Sequence, residues 1–483
     1  MDRTGGVDRT GGVDRTGGVD RTGRTRRAGR ASVLMRLGPR LVVAGVSSGV
    51  GKTTVATGLM AALRSAGHRV ASAKVGPDYI DPGYHALATG RPGRNLDSWI
   101  CGEQTVAPLA GRAAAGADLL VVEGVMGLFD GAAGDGPEAS TASIARLLDA
   151  PVVLVVDTSA MSGSVAAVVH GFATWDPTCQ LAGVVLNRVG SPGHETLLRD
   201  ALAGLDVPVL GALRRDPTLT WRDRHLGLVP VAEDPAGVAR RIALLGDAVA
   251  AQVDLDAVVA VAASAPGIDV ADPPAARPAG NARVAVASGP AFSFVYQDNL
   301  EALSSAGAEL LPFDPASDAA LPSGATGLYL GGGFPEIFAE HLADNVQLLA
   351  DARRRIGEGM ATWAECGGLL WLSSSLDGHR LAGVVPADAR MTDRLTLGYR
   401  RATQLRASPL GPTGTELRGH EFHYSTLEPA GDGLELAGRF GRGHAGWLGP
   451  SLFASYLHLH LGGDPRPAEQ LVAAASALAA PTC

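Results

Sequence analysis

Two short stretches of this chain hold residues whose chemistry depends on tight local geometry. The first is GVSSGVGKTT, Gly45 to Thr54. Glycines let a backbone wrap phosphates, and amides at the start of a following helix point at them. Gly49, Gly51, Lys52, Thr53 and Thr54 form the expected ATP-binding set. Lys52 would neutralise the β and γ phosphates, and Thr53 would hold Mg²⁺. The spacing G-x-x-x-x-G-K-[ST] calls for glycine where Val46 stands. The first glycine is Gly45, so the loop is one residue longer. A plain glycine-rich turn is the alternative; an apolar run before the loop and a helical pattern after GKTT argue against it. The second stretch is ATWAECGGLLWL, with Cys366 between an apolar run and a helix that begins at Gly367 and Gly368. Such an elbow exposes the side chain, and the helix start favours the thiolate. A lone cysteine on an apolar strand is more often inert, so its surroundings matter.

Those surroundings supply partners. GLYLGGGFPE ends a strand with Gly331, Gly332 and Gly333; the amides of Gly332, Gly333 and Gly367 are the expected oxyanion hole. FASYLHLHLGG presents His458 and His460, either of which would serve as base for Cys366. For a metal-bound ATP, KVGPDYIDPGYH offers Lys74, Asp78 and Asp81, and EGVMGLFDG offers Glu123 and Asp130. Both follow strands, where doubly wound folds place ligands. Asp78 and Glu123 join Thr53 as expected Mg²⁺ ligands, while Asp130 is as readily a helix or turn cap. Cys101, Cys179 and Cys483 have no such setting and read as structural or incidental.

The elements that must position these residues are legible as apolar runs. LVVAGV, RVASAKV, LLVVEGV, PVVLVVD, LAGVVLN and VPVLGAL alternate with helical patterns such as KTTVATGLMAALRSAG. That alternation predicts an α/β, doubly wound, mainly parallel sheet. SAPGIDVADPPAARPAGN reads as a linker. A second α/β unit begins at Arg283 and continues through AELLPF, GLYLGGG and ATWAEC. The expected divisions are 1–38, 39–262, 263–282 and 283–483. The first of these holds a repeated VDRTGG unit, with Asp2, Asp8, Asp14 and Asp20 in register. It is too polar to bury a core and is expected to be disordered. Met35 is an alternative start.

Composition narrows the classes. A length of 483 residues suggests two or three domains. A net charge of −8 gives no bulk attraction for nucleic acid or anionic membrane. Four cysteines without a C-x-x-C pair suggest neither zinc nor a disulfide framework, and fit a reducing cytoplasm. No apolar stretch approaches the roughly 18 residues of a membrane span, and none marks a signal peptide.

GVSSGVGKTT, KVGPDYIDPGYH, EGVMGLFDG, DTSAMSGSVAA, LNRVGS, YLGGGFPE, AECGGLLWL, GHEFHYS and SYLHLH occur in this order. Together they resemble the cobyrinate or hydrogenobyrinate a,c-diamide synthase family over nearly the whole chain after Met35. The resemblance implies a dethiobiotin synthetase-like P-loop domain followed by a class I glutamine amidotransferase domain. It implies that glutamine is hydrolysed at Cys366 through a thioester, with His458 as base, and that ammonia passes to the first domain. There ATP activates a corrin carboxylate as an acyl phosphate, once at each of the a and c acetate side chains. The family's ATP and Mg²⁺ residues fall on Lys52, Thr53, Asp78 and Glu123. Asp81 belongs to its substrate-side acidic pair, and Lys74 lies on the same side. Three positions depart from the pattern. His460 stands where class I amidotransferases usually carry glutamate, leaving no identified group to orient His458. Ala364 replaces a glycine at the elbow. Ser288, Gly289 and Pro290 stand where charged residues are commoner. His420, Glu421 and His423 are expected at an interdomain surface, with no assigned role.

The rival readings are amidation of nickel-sirohydrochlorin, cobyric acid synthase, a partitioning ATPase, and a binding protein with a decayed amidotransferase domain. Ser47, where partitioning ATPases carry lysine, argues against the third. The retained Lys52, Cys366 and His458 argue against the last. Cobalt-containing and metal-free corrins are not distinguished by the sequence. Nor is the oligomeric state, a homodimer being allowed.

Overall fold

Strands apolar on both faces must be covered on both sides, and the first half of the chain does this with one parallel sheet. The structure, a computed structural model, describes residues 35–131, 139–217, 221, 223–224, 227–439 and 441–479. The hexapeptide repeat and Cys483 lie outside these. In spatial order the sheet runs Arg94–Leu96, Val70–Val75, Leu119–Glu123, Arg40–Gly45, Val152–Asp157, Leu181–Val189 and Val209–Arg214, all parallel. The Arg40–Gly45 strand is central and wholly buried. Successive strands leave it in opposite directions, so the loop after it sits at the switch point where such sheets bind ligands. Helices cover both faces, the Lys52–Ser65 and Pro235–Gln252 helices packing together on one of them. That face is completed by Phe294 and Phe334 from the second half.

The second half contains a six-stranded sheet in the order Ala308–Phe313, Ala282–Ala287, Gly327–Leu330, Ala361–Glu365, Leu452–Ser455 and Trp447–Gly449. Its first five strands are parallel and its last antiparallel. The α/β expectation therefore holds for both halves. An unforeseen layer accompanies it: the Val385–Gln404 and Glu416–Glu428 strands form a long antiparallel pair, extended by His458–Leu459. The Pro-rich stretch is also not bare linker, because Ile268–Val270 pairs antiparallel with Met35–Leu37. Among the described residues no helix is long and apolar enough to cross a membrane.

Candidate active site

The phosphate loop closes on itself before any ligand is considered. Gly51 ends it at φ 91, a left-handed conformation that favours glycine. A Cβ there would lie 2.3 Å from Asn187 Nδ2. That amide, from the LNRVGS motif, donates to the Val50 carbonyl at 2.8 Å and so braces the loop. Lys52 Nζ donates to the Ser47 carbonyl at 3.0 Å. Burial first, and then the charge of Lys74, lower Lys52 to about 8; nearby carboxylates oppose the shift. Thr54 Oγ1 accepts from Trp221 Nε1 at 3.1 Å. A cavity of about 530 Å³ adjoins the loop, lined by Gly49, Gly51, Lys52, Thr53 and Thr54 together with Asn187, Arg188 and Trp221.

Beside it, a buried knot of charge joins the two carboxylate motifs. Thr53 Oγ1 donates to Glu123 Oε1 at 2.6 Å and lies 3.2 Å from Asp81 Oδ2. Lys74 Nζ bridges the same two oxygens at 2.8 and 2.6 Å. His85 Nε2 lies 2.6 Å from Glu123 Oε2, with both side chains fully buried. Burial alone would neutralise Lys74, but Asp81, Glu123 and Asp78 outweigh it and hold its pKa up. Burial would likewise raise Glu123; Lys74 and His85 prevail and keep it ionised. Asp81 moves the other way, raised by burial and by the neighbouring Asp78.

Asp78, expected at the metal, stands beside this knot and also holds the local backbone. Its Oδ1 accepts from the amides of Ile80 and Asp81 at 2.8 and 3.1 Å, capping the turn into the Asp81–Thr89 helix. Asp81, at the first position of that helix, is the residue that meets Thr53 and Glu123. Asp130 Oδ2 accepts from the Gly127 amide at 2.9 Å, as a turn cap does. Among the described residues no three His, Cys, Asp or Glu side chains form a metal cage. The hard oxygens of Thr53, Glu123 and Asp81 fit a magnesium ion whose other positions are filled by phosphate and water.

Cys366 sits at φ 46 between the Ala361–Glu365 strand and the Gly367–Leu372 helix, the strained elbow its neighbours imply. Its amide donates to the Ser455 carbonyl at 2.8 Å. Gly332 brings the base close: a Cβ there would meet His458 Cε1 at 2.5 Å. Of the three amides expected at the oxyanion hole, that of Gly332 donates to the Phe294 carbonyl at 3.0 Å.

The group behind His458 is Glu365, the residue just before Cys366. It is fully buried, and its Oε2 lies 3.8 Å from His458 Nδ1, an ion-pair distance rather than a hydrogen bond. Its Oε1 accepts from the Leu459 amide at 2.9 Å, and Oε2 lies 3.3 Å from the Tyr329 hydroxyl. Burial would lower His458; the Cys366 sulfur, then Glu365, reverse this and raise it to about 9. The Glu365 carboxyl is raised by burial, with His458 opposing.

His460, the other candidate base, points elsewhere. Its Nδ1 accepts from the Gly462 amide at 3.1 Å and lies 3.1 Å from Cys101 Sγ. With Nδ1 an acceptor, the thiol is the donor, and burial holds that thiol's pKa well up. Cys101 is thus a contact between the halves rather than incidental. Tyr79, two residues before Asp81, reaches across as well, with its ring 5.1 Å from that of His458. Neither residue carries a local signal in the sequence; their roles come from the meeting of the halves.

Two family models match separate parts of the chain. The model of the CobQ/CobB/MinD/ParA nucleotide binding domain matches residues 41–229, and that of the CobB/CobQ-like glutamine amidotransferase domain matches 283–466. The hydrogenobyrinate a,c-diamide synthase of Streptomyces coelicolor is 48% identical over 470 residues, covering 90% of this chain and 97% of that one. The protein of the same name from Thermobifida fusca is 49% identical over 460 residues, covering 91% and 97%. The cobyrinate a,c-diamide synthase of a Synechococcus strain is 43% identical over 445 residues, covering 88% and 96%.

Proposed function

The chain belongs to the hydrogenobyrinate and cobyrinate a,c-diamide synthase family, and on that footing we propose that it amidates the a and c acetate carboxylates of metal-free hydrogenobyrinic acid. It is a glutamine-dependent, ATP-using amidating ligase of cobalamin biosynthesis. The observation that carries the reading is the junction of two sites. Lys74 and Asp81 of the knot with Thr53 and Glu123 flank Tyr79, whose ring packs against His458 of the cysteine site. The metal-free substrate is favoured by the higher identity to relatives named for it, 48 and 49% against 43%.

In this reading Cys366 attacks the glutamine amide and His458 carries the proton. The amides of Gly333 and Gly367 meet the oxyanion, and Glu365 holds the imidazolium. Ammonia leaves, and water later frees glutamate from the thioester. In the other half Lys52 and the loop amides hold ATP phosphates while a substrate carboxylate attacks the γ phosphorus. The acyl phosphate has the leaving group that a bare carboxylate lacks, and ammonia displaces it. Thr53, Glu123 and Asp81 would hold Mg²⁺, with Asp78 supporting the loop. Bound Mg²⁺ supplies charge neutralisation to the transferring phosphoryl group. Lys74 keeps the acidic set from repelling ATP. Residues 39–262, together with the Met35–Leu37 strand, would form the ATP half, 263–282 the connection and 283–483 the amidotransferase half. The reaction needs one chain, whether or not two associate as a homodimer, and the free thiols Cys101, Cys179 and Cys366 support a cytoplasmic setting.

The test incubates purified protein with Mg-ATP, glutamine and either hydrogenobyrinic or cobyrinic acid, and follows the corrinoid by mass spectrometry. Cys366→Ala runs alongside with glutamine and then with ammonium. Wild type should give a diamide from hydrogenobyrinic acid; the variant should give it only with ammonium. Conversion of cobyrinic acid alone would overturn the metal-free assignment. Conversion of neither would overturn the substrate class.

A further inference from the structure

The GHEFHYS segment is not used by the reaction as described, yet it enters the site. The Glu416–Glu428 strand pairs antiparallel with His458–Leu459, and the register sets His420 directly opposite His458. Paired residues of such strands project to the same face. The two imidazoles are stacked, 4.9 Å between centroids and 21° apart. His420 is only 2% exposed, and neither of its ring nitrogens has a hydrogen-bond partner among the described residues. Buried polar groups nearly always have one, so two bare nitrogens on one ring point to a guest.

The neighbours share the condition. The Tyr79 ring lies 5.8 Å from His420 and 4.3 Å from Tyr296, whose own ring lies 4.4 Å from His460. The hydroxyls of Tyr79 and Tyr296 and Nε2 of His460 are buried, and none meets hydrogen-bond geometry with a described residue. The Tyr79 and Tyr296 hydroxyls are close enough to interact with one another, so the two bare nitrogens of His420 are the clearest unmet groups. With the His420 nitrogens these atoms form a buried polar patch, in which His460 Nε2 also faces Asp298 Oδ2 at 3.8 Å. On one side stands His458 of the cysteine site. On the other, two residues along the chain from Tyr79, stands Asp81 of the ATP site.

A guest that fits must be small, must donate and accept hydrogen bonds, and must pass between these two sites. Ammonia fits, provided that it stays unprotonated, since ammonium has no lone pair to attack with. His420 is suited to that condition. Burial, and then the charges of His458 and His460, hold its pKa well below the ordinary histidine value. A neutral imidazole has one acceptor nitrogen and one donor.

We propose that His420 is the residue that receives ammonia released at Cys366, accepting an N–H hydrogen bond from it and passing it along the Tyr79 face towards the acyl phosphate. The inference rests on the function proposed above and extends it by naming a residue for the transfer. No covalent bond is made to His420 in this step.

The test is a stoichiometry. His420→Phe keeps a ring to stack on His458 but removes both nitrogens. His420→Gln restores an acceptor and a donor in a smaller side chain. Glutamate release and amide formation are measured together, with glutamine and separately with ammonium. Wild type with ammonium tests the function itself: if it makes no amide, the substrate reading fails whatever His420 does. With wild type active, His420→Phe should still release glutamate. Its ratio of amide to glutamate should fall at least about fivefold, as the local concentration of ammonia is lost to solvent. Ammonium-supported amidation should stay within about twofold of wild type, since it does not use the transfer. His420→Gln should recover much of the ratio. An unchanged ratio in His420→Phe overturns the proposal. Equal loss with both nitrogen sources overturns it too, because the residue would then only hold the halves together.

Discussion

Removing the charge of Glu365 while keeping its shape tests the cysteine site most sharply. In Glu365→Gln an oxygen can still accept from the Leu459 amide, so the strand carrying His458 keeps its anchor. What goes is a negative charge 3.8 Å from His458 Nδ1. Coulomb's law gives such a pair about 4 kcal/mol at an effective dielectric near 20, part of which desolvation of the carboxylate takes back. The rise of His458 from 6.5 to about 9 sets a second bound. At about 1.36 kcal/mol per pH unit it amounts to roughly 3.4 kcal/mol. Cys366 accounts for the larger part of that rise. Less than half of that rise, about one pH unit, is therefore left for Glu365, or about 10-fold in kcat/KM for glutamine. The sign follows from the imidazolium, which must protonate the departing ammonia. Activity holds while His458 is charged and falls as pH rises through about 9. In the variant that alkaline limb should move to lower pH. The same raised value stabilises the fold fully below 6.5, and this contribution is lost as pH rises through about 9. The assay is glutamate release across pH 6 to about 10, with ammonium-supported amidation as the control for the ATP half. An unchanged limb together with wild-type kcat/KM would refute the role given to Glu365.

Other perturbations separate the two halves. Gly332→Ala puts a methyl 2.5 Å from His458 Cε1; glutamine-dependent amidation should fall about 100-fold or more, with ammonium-dependent amidation kept. Thr53→Val removes the hydroxyl bonded to Glu123; amidation should fall about 100-fold with either nitrogen source, while glutamate release persists. Lys74→Met leaves Asp81 and Glu123 buried without their bridging cation. It should cost about 3–5 kcal/mol, read as a lower midpoint in urea, with partial relief when the carboxylates are protonated at low pH.

What the sequence made legible follows from how local each constraint is. A phosphate loop demands glycines, a lysine and a threonine within ten consecutive residues, so GVSSGVGKTT announces itself. The elbow at Cys366 is as compact. Glu365 stands inside that motif, yet its partner arrives on a strand far along the chain. The one local hint is a charged residue closing a strand that is otherwise uncharged and buried. The choice between Asp78 and Asp81 depends on where a helix begins, and boundaries shift by a residue or two in any reading of pattern. Gly332 is needed for its missing side chain, while its amide is spent on Phe294, a pairing no spacing rule encodes. The antiparallel layer was missed because Val385–Gln404 alternates buried with exposed or half-exposed residues for only part of its length. Its neighbours are held by register rather than by a continuous apolar run.

The halves are fastened at a place that serves both sites. Arg94 pairs with Asp298 at 2.9 Å and with Glu301 at 2.7 Å, and Arg112 reaches Asp298 at 3.2 Å. One residue beyond Arg94, Asn95 donates to the carbonyls of Gly76 and Asp78, on the loop that leads to Asp81. One residue beyond Asp298, Asn299 donates to the Leu459 carbonyl and accepts from the Leu461 amide, on the strand that carries His458. A single ion-paired seam is thus one residue from the backbone of each site. Breaking a buried pair of this kind costs about 3–5 kcal/mol, so the closed seam is the populated state. The seam therefore holds the loop leading to Asp81 and the strand carrying His458 at one spacing in the populated state.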